Sequence, residues 1–309
     1  MARPLLFKSQ AKWFLENSVT RRRNPIKPAT AYGWENCFRK WLEPRFGHLP
    51  LGSVNNAALK ELVAELCIAG LSAQSVVTYV GLVKLIVASA LDENGEELFP
   101  RKWNHDFIDL PVIEKQHQPT FTSETVSSIV RTATGMQKVL FAVLAGSGLR
   151  IGEAFGLEVK HVSPDGRTLT VEQAVWEDKV QTPKTRNAFR QVDLCPELAE
   201  MLRTFIGERA QGFVFGTRNG SPLLQSNVRN RKLYPVLDTL KVPRSGFHSF
   251  RRFRLTHLRK QRIPENLIRY WMGHADLSVT DGYDKVAEDK IYSLNCSKQA
   301  GLGFMLSPL

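Results

Sequence analysis

Three short stretches place cationic and imidazole side chains at spacings that could do chemistry. In "AGSGLRIGEAFGL" Arg150 follows a broken glycine pair, and Glu153 lies three residues further, on the same helical face. A guanidinium held by a carboxylate at a glycine turn can grip an anion beside helix amide groups; the plainer alternative is a weak surface ion pair. In "GFHSFRRFRLTHLRKQ" His248 and Arg251 are three apart, so one side chain can exchange a proton while its neighbour clamps two oxygens of a phosphate. A basic helix lying on DNA would explain the same pair without catalysis, since residues 229–269 carry 12 basic side chains against Asp238 and Glu265. In "PENLIRYWMGHADLSVTDGYDKV" His274 precedes Tyr283 by nine residues. Taken singly, these are an ordinary capped histidine and a surface tyrosine.

The elements that must carry these groups follow from local signals. Thr122 is a helix N-cap with Glu124 in the first turn, and the helix through "MQKVLFAVLAGSG" should stop at Gly146 and Gly148, so that Arg150 opens a short second helix. "RTLTVEQAV" and "AFRQVDL" alternate with period two, as paired strands of a small sheet, on either side of the polar connection "WEDKVQTPKTRN". Pro264 suits a helix start and Gly273 its end, which leaves His274 just beyond and Tyr283 on a short helix from about Ser278. The first hundred residues read as helices: Leu59, Leu62, Val63 and Leu66 share a face, Gly70 caps that helix, and Ser72 caps the next. "TRRRNPIKPAT" breaks the opening helix with basic and proline-rich chain and is a turn able to touch phosphate.

These signals divide the chain into a helical domain over residues 1–103, a linker over 104–120 and a mixed domain over 121–309. A length of 309 residues suits two domains, and 43% hydrophobic with 23% charged residues is a globular composition. The net charge of +12 favours a polyanionic partner through counterion release. Residues 1–118 hold 15 basic and 12 acidic side chains (+3) and the remainder 27 and 18 (+9), which puts most of that signal in the second half. Cys37, Cys67, Cys195 and Cys296 lack zinc-type spacing and read as reduced structural thiols. On charge alone membrane surfaces and acidic substrates remain open as partners; with no signal-like start and no apolar run of membrane-spanning length, a cytoplasmic protein is expected.

The ordered set Arg150, Lys184, His248, Arg251, His274 and Tyr283 resembles the active site of the tyrosine recombinase, or phage integrase, family. The matching motifs are "GSGLRIGE", "TPKTRNAFRQVDL", "FHSFR" and "MGHADLSVTDGY". The resemblance covers the chain from about Phe121 to Val286 and, more loosely, the helical half, which looks like the family's core-binding domain. Arg252 stands where the family often has histidine, Met272 stands where leucine is usual, and Lys179 is a second lysine in the hairpin connection. The resemblance implies a DNA breaking-rejoining fold: mainly α with a small antiparallel β-sheet in an α+β catalytic domain, plus an all-α N-terminal domain.

The resemblance also implies a chemistry and partners. Tyr283 is the nucleophile that forms a 3′-phosphotyrosine, His248 the base, and Lys184 the acid for the leaving 5′ oxygen. Arg150, Arg251 and His274 stabilise the phosphorane, and Glu153 supports Arg150. No metal or other cofactor and no ATP is expected. The partners are double-stranded DNA and further copies of the chain, as a tetramer on two sites, with accessory proteins for some reactions. A DNA-binding regulator of the same fold and a type IB topoisomerase are the competing readings. The tail "AEDKIYSLNCSKQAGLGFMLSPL" either docks on a neighbouring subunit or packs on its own domain.

Overall fold

The computed structural model describes residues 4–114, 118–181, 189–274 and 289–308. The chain forms two compact units, Met1–Gln116 and His117–Leu309, each with its own apolar core.

In the first unit the described elements are helical. Helix Asn56–Ile68 buries Leu59, Leu62, Val63 and Leu66, the face expected from the period, and Asn55 caps it by accepting from the amide of Ala58. Gly70 adopts φ +75°, and Ser72 caps helix Ala73–Ala88, which adds Val76, Val80, Val83 and Ile86 to the core. Helix Phe7–Thr20 ends where the basic turn begins, and Pro28 sits in the first turn of the next helix, where its missing N–H costs nothing. Within the stretch expected to be a linker, Asn104 caps the helical turn His105–Ile108, and Ile108 is fully buried in the first core. The apolar residue drew that segment into the unit, although its neighbours are polar. Burial pushes the Cys37 thiol up to about 12 and Cys195 up to about 11, as befits buried structural thiols.

The second unit is organised around helix Gly135–Ser147, in which every residue from Val139 to Ser147 is buried. A helix apolar on all sides needs neighbours on all sides, and helices Ser123–Thr132, Pro196–Ile206 and His248–Lys260 supply them. The expectation of a stop at both glycines holds only for Gly148, which takes φ +73°. Gly146 lies inside the helix, where a β-carbon would collide with Leu198 and Leu302, so its role is close packing. Removing that glycine would force side chains apart in a dense core.

The strands pair as the alternation predicts: β1 (Thr168–Val171) runs antiparallel to β4 (Arg190–Asp193), with Thr168 opposite Asp193 and Val171 opposite Arg190. The first expected strand breaks after Val171, and its end joins the start of the polar connection in a second hairpin, β2 (Ala174–Trp176) with β3 (Lys179–Gln181), turned through Glu177 at φ +54°. β4 is tied to helix Glu265–Met272 residue by residue. The amide of Gln191 donates to Tyr270 Oη (3.1 Å), Arg190 Nε to the Trp271 carbonyl (2.7 Å), and Trp271 Nε1 to Asp193 Oδ2 (3.3 Å).

Behind this layer the tail forms helix Lys290–Ala300, capped by Asp289, and packs on its own unit. Arg254 Nη1 donates to the Gly301 carbonyl (2.6 Å), Ser297 Oγ to that of Leu194 (3.2 Å), and Phe304 meets Phe253 edge-on at 6.1 Å.

Candidate active site

Two glycine-ended helices form the frame of the site. Gly148 stops helix Gly135–Ser147, and Gly273, at φ +62°, stops helix Glu265–Met272. At the second stop the His274 amide donates to the Arg269 carbonyl (3.1 Å) and the Gly273 amide to that of Tyr270 (2.9 Å), which is the Schellman closure. The last carbonyls of both helices remain without intrahelical donors and carry partial negative charge. Arg251 joins them: its Nη1 donates to the Gly148 carbonyl at 2.7 Å and its Nη2 to that of Met272. Arg150 Nη2 reaches the Gly273 carbonyl at 3.4 Å. The glycines that local sequence marks as stops therefore also supply the acceptors that hold the arginines.

Arg150 is the N-cap residue of helix Ile151–Phe155, as its position after Gly148 implies. Its backbone amide donates to Glu153 Oε2 (2.8 Å) and its Nη1 to Glu153 Oε1 (2.8 Å). The Arg150 amide is therefore occupied by Glu153. The Arg150 side chain is 40% exposed, whereas Glu153 is buried.

Arg190, which sequence reasoning did not single out, meets the same carboxylate from inside, with Nη2 at 2.8 Å from Oε2 and Nη1 at 3.2 Å from Oε1. A signal for it exists. In a strand of period two, Arg190 falls on the face of Val192, and both are buried while Gln191 between them is exposed.

Charge on these groups follows from burial and proximity. Burial works to raise the Glu153 pKa, but the hydrogen bonds and charge of Arg190, with the amide and charge of Arg150, outweigh it and hold the carboxyl below its ordinary value. Burial and the neighbouring Arg150 push Arg251 down to about 10, so it stays charged at neutral pH. His248, in the first turn of helix His248–Lys260, is shifted down by burial and then by Arg251, Arg252 and Arg150. His274 is shifted down by burial and then by Arg251, Arg150 and Arg259. Both imidazoles are therefore biased toward the neutral form, which can accept a proton on one ring nitrogen and donate from the other.

Arg150, Glu153, His248, Arg251 and His274 thus belong to one neighbourhood. Lys184 and Tyr283, together with the helix expected from Ser278, lie outside the described residues. Lys179 is described: it is exposed on β3 opposite Trp176. Arg252 donates to the Pro119 carbonyl (2.9 Å) and to Gln118 Oε1 (2.7 Å), fastening the start of this unit to the helix that carries His248 and Arg251.

Residues 119–290, more than half of the chain, match the phage integrase family. The chain belongs to that family. It is accordingly a tyrosine-type DNA recombinase, the class to which its residue set points. Among relatives of this integrase, the XerC-like tyrosine recombinase of Caldanaerobacter subterraneus is 23% identical over 287 residues, covering 82% of this chain and 73% of that protein. The integrase of Staphylococcus phage L54a is 25% identical over 179 residues, covering 49% of this chain and 50% of the phage protein. Among solved structures, the Tn1549 transposon integrase in complex with a circular intermediate DNA is similar with a TM-score of 0.70 at 18% identity, over 90% of this chain and 94% of that one. A lambda integrase dimer bound to a core site gives 0.64 at 13% identity, over 89% and 94%. These likenesses establish the integrase fold, mostly helical with small antiparallel sheets.

Proposed function

We propose that this integrase cleaves and rejoins duplex DNA at specific sites through a 3′-phosphotyrosine on Tyr283. The observation that carries the proposal is the convergence of Arg150 and Arg251 on two glycine-ended helix termini, beside two histidines biased toward neutrality. Two guanidinia side by side are costly unless an anion joins them, and a phosphorane with two non-bridging oxygens is an anion of suitable shape.

In the cleavage step the phenol oxygen of Tyr283 bonds to phosphorus while the bond to the 5′ oxygen breaks. The phenol proton passes to His248, and the leaving oxygen takes a proton from Lys184. Arg150, Arg251 and His274 hold the non-bridging oxygens as charge builds. A phenol of pKa near 10 needs such a setting to lose its proton at neutral pH. The adduct keeps the phosphodiester bond energy, so a 5′ hydroxyl from another strand reverses the step. Glu153 supports Arg150 throughout. The first unit, Met1–Gln116, would serve as the core DNA-binding domain, and the second, His117–Leu309, as the catalytic domain with its tail. The protein would act as a tetramer on two DNA sites; a lambda integrase tetramer bound to a Holliday junction has a similar fold.

A nicked suicide duplex carrying the cognate site tests the proposal. The native chain should accumulate a covalent 3′ adduct, and Tyr283→Phe should form none while binding the duplex as before. No tyrosine-dependent adduct from the native chain would defeat it, and relaxation of supercoils without defined sites would favour a topoisomerase.

A further inference from the structure

Glu153 accepts four hydrogen bonds, two on each carboxylate oxygen, from the Arg150 amide and guanidinium on one side and from Arg190 on the other. We propose that Arg190 is a positioning residue for strand cleavage, acting through Glu153 to keep Arg150 directed at the scissile phosphate. The inference rests on the reading of Arg150 as a phosphate-binding group.

The two arginines divide one task. The Arg190 side chain is fully buried, so it has no edge with which to meet DNA, whereas that of Arg150 is 40% exposed. A lone Arg150–Glu153 pair would neutralise itself, and each guanidinium bond spent on the carboxylate would be lost to the phosphate. With Arg190 supplying two bonds from inside, Glu153 is balanced without Arg150, and Arg150, Arg190 and Arg251 against one carboxylate leave a net positive cluster. An anionic transition state requires that sign of charge.

Arg190 is itself held in place. It begins β4 opposite Val171, and its Nε donates to the Trp271 carbonyl, a last-turn acceptor of helix Glu265–Met272. Gly273 lies over the guanidinium: a β-carbon there would stand 2.8 Å from Nη1 and 2.9 Å from Cζ. The turn that presents His274 therefore closes on Arg190 because residue 273 has no side chain. A planar fork with donors on three nitrogens can serve the Trp271 carbonyl and both carboxylate oxygens together, which an ammonium group cannot reproduce.

The test measures adduct formation on the suicide duplex in single turnover, for the native chain, Arg190→Lys, Arg190→Gln, Glu153→Gln and the double variant R190Q/E153Q. Circular dichroism checks that each is folded at the assay temperature. Arg190→Gln should leave the protein concentration for half-saturation within about threefold of native, and lower the rate at saturation by roughly ten- to a hundredfold. Arg190→Lys should fall between native and Arg190→Gln. Because both residues act on Arg150 through one contact, the double variant should be no slower than the slower single variant.

A native rate at saturation from Arg190→Gln, or single losses that multiply in the double variant, overturns the proposal. Should Arg190→Gln not fold, Arg190→Lys carries the test, and a native rate from it is equally decisive. No adduct from the native chain removes the cleavage reading and this inference with it, whereas adduct at equal rates from native and variant removes this inference alone.

Discussion

Arg251 and Arg254 stand three residues apart on one helix, both buried, both shifted down to about 10, both donating to backbone carbonyls at or beside helix ends. Around Arg251 stand Arg150, Glu153 and Arg190, with His248 and His274 shifted down in part by its charge. Arg254 instead faces Gly301 of the tail, with Cys195 nearby. Burial and carbonyl contacts therefore do not mark a catalytic arginine. The neighbouring cations, shared carboxylate and imidazoles do. The same helix carries both, so the site and the tail anchor lie on successive turns of one rigid element.

The strongest way to break this contrast is Arg251→Gln, expected to lower single-turnover cleavage by the folded fraction about a hundredfold, roughly 3 kcal/mol of transition-state stabilisation. A cleavage rate near native would dissolve the distinction between the two arginines.

Arg254→Ala should do the reverse. Leaving a cavity and an unpaired Gly301 carbonyl, it should cost about 2–4 kcal/mol in urea unfolding and expose the tail to proteolysis near Gly301, while the folded fraction cleaves at close to the native rate. Arg254→Met, which removes a buried charge as well as a hydrogen bond, should cost less than the alanine variant.

Gly148→Ala touches both sides of the comparison, because the new β-carbon would strike Met272 and lie 3.4 Å from Arg254 Cγ at a backbone of φ +73°. Strain of about 1–3 kcal/mol is expected in urea unfolding, together with slower cleavage as the Arg251 acceptor shifts.

The smallest effect concerns pH. A base must be neutral to act, and His248 has a depressed pKa, so the acid limb of the cleavage rate should fall below the ordinary histidine value of about 6.5. Stability has the same sign: the unfolded chain binds the proton more readily, so the contribution is lost as pH falls below that value. Arg252→Gln removes one of the cations acting on His248 and should move the limb upward in a pH–rate profile. A downward move would contradict the assignment of base and neighbours.

Much of the site was legible because its signals are local. Gly148 and Gly273 as left-handed stops, Thr122 and Ser72 as caps, the three-residue spacings of Arg150 with Glu153 and of His248 with Arg251, and the period-two strands all depend on residues within a turn or two of each other. Gly146 was misread as a stop for the same reason: composition marks a glycine, but its place inside the helix depends on Leu198 and Leu302 arriving from elsewhere. The hairpin β2–β3 was hidden because both strands are three residues long and β3 is a largely exposed part of a polar run.

Caps, periods and spacings are properties of neighbouring residues, and they were sufficient to say where helices end, which residues face inward and which family the chain resembles. Partner choice is another matter. That Glu153 serves Arg190 across 37 positions, that Arg251 bridges Gly148 and Met272, and that Arg254 holds Gly301 are pairings between distant segments. No local period encodes them, because they arise when a fully apolar helix is surrounded and the polar ends it brings together must find donors in the space that remains.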